Sequence, residues 1–78
     1  MITLYDADND NRIGEITEPQ LEVLIEELVE ESLDEFTWNL TGPVIDSLET
    51  AGAEPALIGL LRRALGSRSS MELRYDPD

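Results

Sequence analysis

Seventy-eight residues at a net charge of −13 make a chain of single-domain size, and folding at that length hides only about 60 to 65% of the surface the unfolded chain exposes. Four aromatics and no cysteine leave neither large aromatic packing nor disulfides to reinforce so small a core; a metal or a second subunit is the usual supplement. The charge opposes contact with phosphate backbones and anionic lipid, which excludes nucleic acid and membrane surfaces as partners and leaves basic ones open.

No apolar run approaches the roughly 18 residues of a membrane span, and the opening MITLYDADND lacks the basic and apolar stretches of a secretory leader. A cytoplasmic protein is the expectation, and the sequon Asn39-Leu40-Thr41 then has no glycosylating route. The charge is uneven: residues 1–35 hold twelve acids and one arginine, and residues 36–78 hold six acids and four arginines. All five basic residues are arginine.

Along the chain, MITLYD and RIGEIT are short runs of β-formers separated by Asp8-Asn9-Asp10-Asn11, which reads as a β-hairpin. Strict alternation puts Ile13 and Ile16 on opposite faces, and a bulge at Gly14 would return both to the core. Thr17-Glu18-Pro19-Gln20 is a capping-box pattern that starts a helix. Leu21, Leu24, Ile25, Leu28, Val29 and Phe36 recur at helical spacing, so the helix is expected to run to about residue 35 with Val23 on its far side. FTWNL breaks the pattern. Thr41-Gly42-Pro43 opens a second helix ending at Gly52, and Pro55 opens a third, ending at Gly66. Gly59 inside the third helix suggests close approach by a neighbouring element. Met71, Leu73 and Tyr75 alternate with Glu72 and Arg74 as in a strand with one buried face.

The order is ββαααβ in one domain spanning 1–78: an α+β fold in which a small three-stranded antiparallel or mixed sheet, the N-terminal hairpin plus the C-terminal strand, packs against about three helices. The segments LYDADNDNRIGEITEPQLEVLIEELVEES and LETAGAEPALIGLLRRALGSRSSMELRYD together resemble a group of short, acidic, functionally uncharacterised bacterial proteins with this order. The shared motifs are turns, caps and apolar stripes, so the resemblance implies the fold and carries no catalytic residue across.

Three features bear on function. Asp6, Asp8, Asp10 and Ile13 match the spacing of an EF-hand calcium loop, but Asn11 stands in the glycine position and Thr17 in place of the bidentate glutamate. The approach to the loop is also a strand rather than a helix, which favours a polar hairpin turn. Glu22, Glu26, Glu27, Glu30, Glu31, Asp34 and Glu35 crowd one helix with no basic residue, placing five like-charge pairs at spacing four. That face is either solvated or meets cations: Arg62, Arg63, Arg68 and Arg74 of its own chain or of a second copy, or a basic partner. Trp38 closes over the core or, if exposed, anchors an interface.

Without histidine, cysteine or lysine the chain has no ordinary base near neutral pH, no thiolate and no Schiff-base amine, and zinc, haem and iron–sulfur sites lose their usual ligands. An enzyme is therefore not expected. The favoured function is a non-enzymatic protein-interaction or assembly module whose contact residues are the acidic face, Trp38, Arg62 and Arg63, with a homodimer as one form. The alternatives are a calcium-binding module using Asp6, Asp8 and Asp10, with no other cofactor, and a nucleic-acid mimic that binds a basic protein.

Overall fold

The computed structural model describes residues 1–76. The elements are β1 (Ile2–Asp6), β2 (Asn11–Ile16), α1 (Glu18–Glu27), a 3-10 turn (Val29–Glu31), β3 (Ser32–Asp34), β4 (Thr37–Thr41), α2 (Gly42–Thr50), α3 (Pro55–Leu65) and β5 (Ser70–Asp76). One sheet holds the strands in the order β2-β1-β5-β4-β3, every neighbouring pair antiparallel. The α+β class and the pairing of β5 with the N-terminal hairpin are as expected. The three-stranded sheet is not: there are five strands.

Of the additional strands, β4 comes from the stretch that breaks the helical pattern and β3 from the expected carboxyl end of the first helix. Thr37, Trp38 and Leu40 are buried, and β-branched and aromatic side chains suit a pleated surface. β4 pairs with β5 (Trp38 opposite Leu73, Leu40 opposite Met71) and with the short edge strand β3. Space for β3 exists because α1 stops at Glu27, eight residues before its expected end near 35. Apolar periodicity alone does not hold a helix. Glu26, Glu27, Glu30 and Glu31 would crowd its carboxyl end, where the dipole disfavours anions, and the last turn has no basic residue. Leu28 instead caps the helix, its N–H donating to the Leu24 carbonyl, and the chain turns once before entering β3.

The other helix termini follow their sequence signals. Thr17 and Gln20 form the reciprocal capping box, Gln20 Oε1 accepting from the Thr17 N–H at 2.8 Å and Thr17 Oγ1 from the Gln20 N–H at 3.3 Å. Thr41 Oγ1 accepts from the Val44 N–H to start α2. Gly66 ends α3 at φ +60°, a conformation that disfavours any side chain.

Ile2 and Leu4 of β1, Trp38 and Leu40 of β4, and Met71 and Leu73 of β5 form the sheet's contribution to one buried cluster. Leu24, Ile45, Leu48, Leu57 and Leu61 supply the helical side. In the β1–β2 ladder Leu4 faces Gly14 and Tyr5 faces Arg12, so Ile13 is the extra residue of a bulge. Ile16 is buried and Ile13 half-buried against the same cluster, as the bulge requires. The close approach expected at Gly59 is found at Gly14 instead, where a Cβ would lie 3.1 Å from Leu60 Cδ1 of α3; at Gly59 nothing lies within 4 Å.

Candidate functional site

The hairpin loop between β1 and β2 brings the three aspartates into defined partnerships. Asp6, 5% exposed, accepts from the Asp8 N–H at 3.0 Å, and its carbonyl accepts from the Asp10 N–H at 2.7 Å, which closes the turn. Asp10, not Asn11, takes the left-handed conformation, at φ 61°. Arginines from the second half of the chain then reach each carboxylate. Arg68 lies 2.7 Å from Asp6 and 3.6 Å from Asp8, and Arg74 lies 3.2 Å from Asp10. Arg74 also sits over the Tyr5 ring, 4.6 Å from its centroid, and the Glu72 N–H donates to Asp8 Oδ2. Among the described residues no group of three carboxylates is gathered to hold an ion. Both Asp6 carboxylate oxygens, Asp8 Oδ2 and Asp10 Oδ1 accept from guanidinium or backbone donors.

Arg62 is committed as well. It lies 2.7 Å from Asp46 and 3.4 Å from Glu49 on α2, and the Asp46 contact, foremost among the causes, raises its pKa. Arg12 pairs with its neighbour Glu15 at 3.2 Å. Arg63 forms no ion pair among the described residues. An isologous contact between the acidic face and Arg62, Arg63, Arg68 and Arg74 therefore retains Arg63 as its one uncommitted cation.

The acidic residues do not share one helix. Glu22, Glu26 and Glu27 lie on α1, Glu30 and Glu31 on the 3-10 turn, Asp34 on β3 and Glu35 in the β3–β4 turn. Of the five expected helical pairs at spacing four, Glu22 and Glu26 alone lie wholly within α1. No ion pair among the described residues involves Glu22, Glu26, Glu27, Glu30, Glu31 or Glu35. Asp34 is engaged locally. Its carboxylate accepts from the Phe36 N–H at 2.9 Å, and that bond, helped by the Thr37 hydroxyl, lowers its pKa.

Apolar side chains stand among these carboxylates. Ile25 and Val29, expected in the buried stripe, are exposed (41% and 65%), whereas Val23, expected outside, packs partly buried against the core. A groove of about 300 Å³ runs between the 3-10 turn and α2, lined by Glu26, Glu27, Val29, Glu30, Glu31, Val44 and Ser47. The spacing of the acids hinted at this surface, but the contribution of Val44 and Ser47 depends on how α2 packs. Trp38 has no part in it. The indole is 4% exposed and stacks on Tyr75 with ring centroids 4.9 Å apart, so the structure corrects its expected place in a partner surface.

A second groove, of about 310 Å³, lies between the hairpin loop and α3 and takes in Arg12, Arg63 and Arg68. Compared with known proteins, the chain matches no family model, no curated protein and no solved structure. Its functional interpretation therefore rests on its own geometry. Among the described residues no helix is long and apolar enough to cross a membrane.

Proposed function

We propose that this chain is a non-enzymatic interaction module whose acidic groove, between the 3-10 turn and α2, binds a basic amphipathic segment of a protein partner. The observation that carries this is exposed Val29 standing among Glu26, Glu27, Glu30 and Glu31, none of them paired within the described residues while four of the five arginines are engaged elsewhere. A solvated acidic face kept for solubility has no use for the two valines, Val29 and Val44, that line its groove. A partner helix with arginine or lysine around an apolar ridge would cover Val29 and Val44 and neutralise the rim. The absence of histidine, cysteine and lysine from the sequence supports the non-enzymatic part.

The test is an amide-shift titration with a leucine- and arginine-containing amphipathic helix at physiological salt, beside an arginine peptide of equal charge lacking the apolar residues. Saturable shifts at Glu26 to Glu31, Val44 and Ser47, weakened by Val29→Ser, are expected for the amphipathic peptide alone. Equal binding of both peptides, or indifference to Val29→Ser, would reduce the face to a nonspecific anion.

A further inference from the structure

The groove between the hairpin loop and α3 is anomalous in a protein of charge −13, because three of its five arginines line it. Against Arg12, Arg63 and Arg68 the lining sets one carboxylate, Asp6, which leaves an excess of two positive charges. Asp8 and Glu15 touch two of these arginines without lining the groove.

The three cations are not equivalent. Arg68 is fixed: its Nη2 donates to Asp6 Oδ2 and to the Ala64 carbonyl, both at 2.7 Å, and its Nε to the Leu65 carbonyl at 3.3 Å. It contributes charge more than free donors. Arg12 is held by Glu15 alone, and an exposed pair of that kind gains little net free energy over hydration, so it can exchange partners readily. Arg63 has no carboxylate partner among the described residues. Asn9 and Asn11 add polar residues to the lining, and Ile13, Leu60 and Ala64 make up its apolar part.

That apolar part follows from the β2 bulge. Ile13 is the extra residue there, and Gly14, lacking a side chain, lets Leu60 settle against the strand. The result is a small groove lined by both apolar side chains and guanidinium groups. Its volume of about 310 Å³ stands at the small end of ligand pockets.

We propose that this groove binds a small organic phosphate monoester as its dianion, held by Arg63 and Arg12, with Arg68 as a fixed third charge and the organic group against Ile13 and Leu60. The number of acceptors favours phosphate over carboxylate: its three terminal oxygens can serve both Arg63, which has no carboxylate partner among the described residues, and Arg12, whose exposed pair with Glu15 exchanges readily. Guanidinium forks also suit phosphate oxygens bidentately. The site is separate from the acidic groove, which lies between the 3-10 turn and α2.

The experiment is an amide-shift titration of the full chain with phenyl phosphate at constant ionic strength and about pH 7.5, above the second phosphate ionisation near 6. Inorganic phosphate, benzoate and sodium chloride form the comparison arms. Saturable shifts are expected at Asn9 to Ile13 and Leu60 to Ala64, with phenyl phosphate the tightest ligand. Arg63→Gln and Arg12→Gln should each weaken it by about tenfold or more, as loss of a charged hydrogen bond implies, while melting as the parent does. Shifts that sodium chloride reproduces, or that survive both substitutions, overturn the site. Benzoate binding as tightly as phenyl phosphate overturns the dianion assignment, and inorganic phosphate binding as tightly overturns the role of the apolar lining.

Discussion

Arg68 reaches across 62 positions of sequence to place its Nη2 2.7 Å from Asp6 Oδ2, at the edge of the core where the hairpin meets the end of α3. The same nitrogen donates to the Ala64 carbonyl, so one side chain both compensates a buried carboxylate and satisfies an orphan carbonyl of the helix. Arg68→Met, which keeps the stem and removes the donors, is expected to lower stability by about 2 to 3 kcal/mol, less than a fully buried pair because Arg68 is part-exposed. Asp6→Asn, which can still accept from the Asp8 N–H, should cost about 1 to 1.5 kcal/mol. Urea denaturation of both single variants and the double variant measures the coupling. Strict additivity would mean that the pair contributes nothing as a pair.

The same arginines bear on calcium. To bind at Asp6, Asp8 and Asp10 the ion must displace Arg68 and Arg74 from carboxylates they already compensate. A calcium titration with a magnesium control is expected to give no saturable, calcium-selective shifts between Asp6 and Glu18 at micromolar ion. If such shifts appear and Asp8→Asn abolishes them, the arginine-locked turn is the wrong description of this loop.

Gly59 offers a stabilising substitution. It sits in the exposed interior of α3 with nothing within 4 Å of a Cβ, so the helix bears the entropy of glycine without a packing reason for it. Gly59→Ala should add about 0.5 to 1 kcal/mol and raise the melting temperature by about 3 to 6 °C. A melting temperature that falls would reveal a contact at this position.

What the sequence discloses here is local, and what it hides is separated along the chain. Thr17 with Gln20 announces a helix start within four residues, and Asp8 to Asn11 announces a turn, because each motif carries its own hydrogen-bonding partners. Thr37 to Thr41 looks like an interruption between helices because its strand partner is β5, some thirty residues later. Apolar spacing through Phe36 overran the end of α1 because it ignores the charges that terminate the helix. The aspartate spacing likewise leaves a calcium loop open beside the favoured polar turn. It says nothing of Arg68 and Arg74, which reach the loop only after β5 has paired with β1.

Asp34 gives the fold a dependence on acid. Its pKa lies below the ordinary carboxylate value, chiefly through the Phe36 N–H, so its ionised form is favoured in the folded chain. The sign follows: this contribution is fully present above the unfolded value near 3.9 and disappears as pH falls through the lower folded value. A carbon-detected titration should place Asp34 below the ordinary aspartate value. Asp34→Asn should flatten the acid limb of the stability curve below about pH 4 and leave the region near neutrality without slope. A parent-like acid limb in that variant would assign the effect to other carboxylates.

Salt separates the two electrostatic populations of the molecule. The pairs Arg12–Glu15, Arg62–Asp46 and Arg74–Asp10 are exposed, where water and ions screen an ion pair readily and leave it little net effect. Arg68–Asp6 involves a buried carboxylate and is screened less. Opposing them is the repulsion of a −13 chain whose acids at 22, 26, 27, 30, 31 and 35 have no cation among the described residues. Raising ionic strength from about 0.01 to 0.15 M shortens the Debye length from about 30 to about 8 Å, which suppresses that repulsion at longer range than the contact pairs. The melting temperature is therefore expected to rise by several degrees over this interval. Glu26→Gln with Glu30→Gln should melt higher than the parent at low salt and respond less to added salt, because the repulsion has been removed covalently. A parent that loses stability on adding salt would mean that the ion pairs of Arg62 and Arg74 outweigh the acidic face, and that the groove beside Val29 is not held under strain by its own charge.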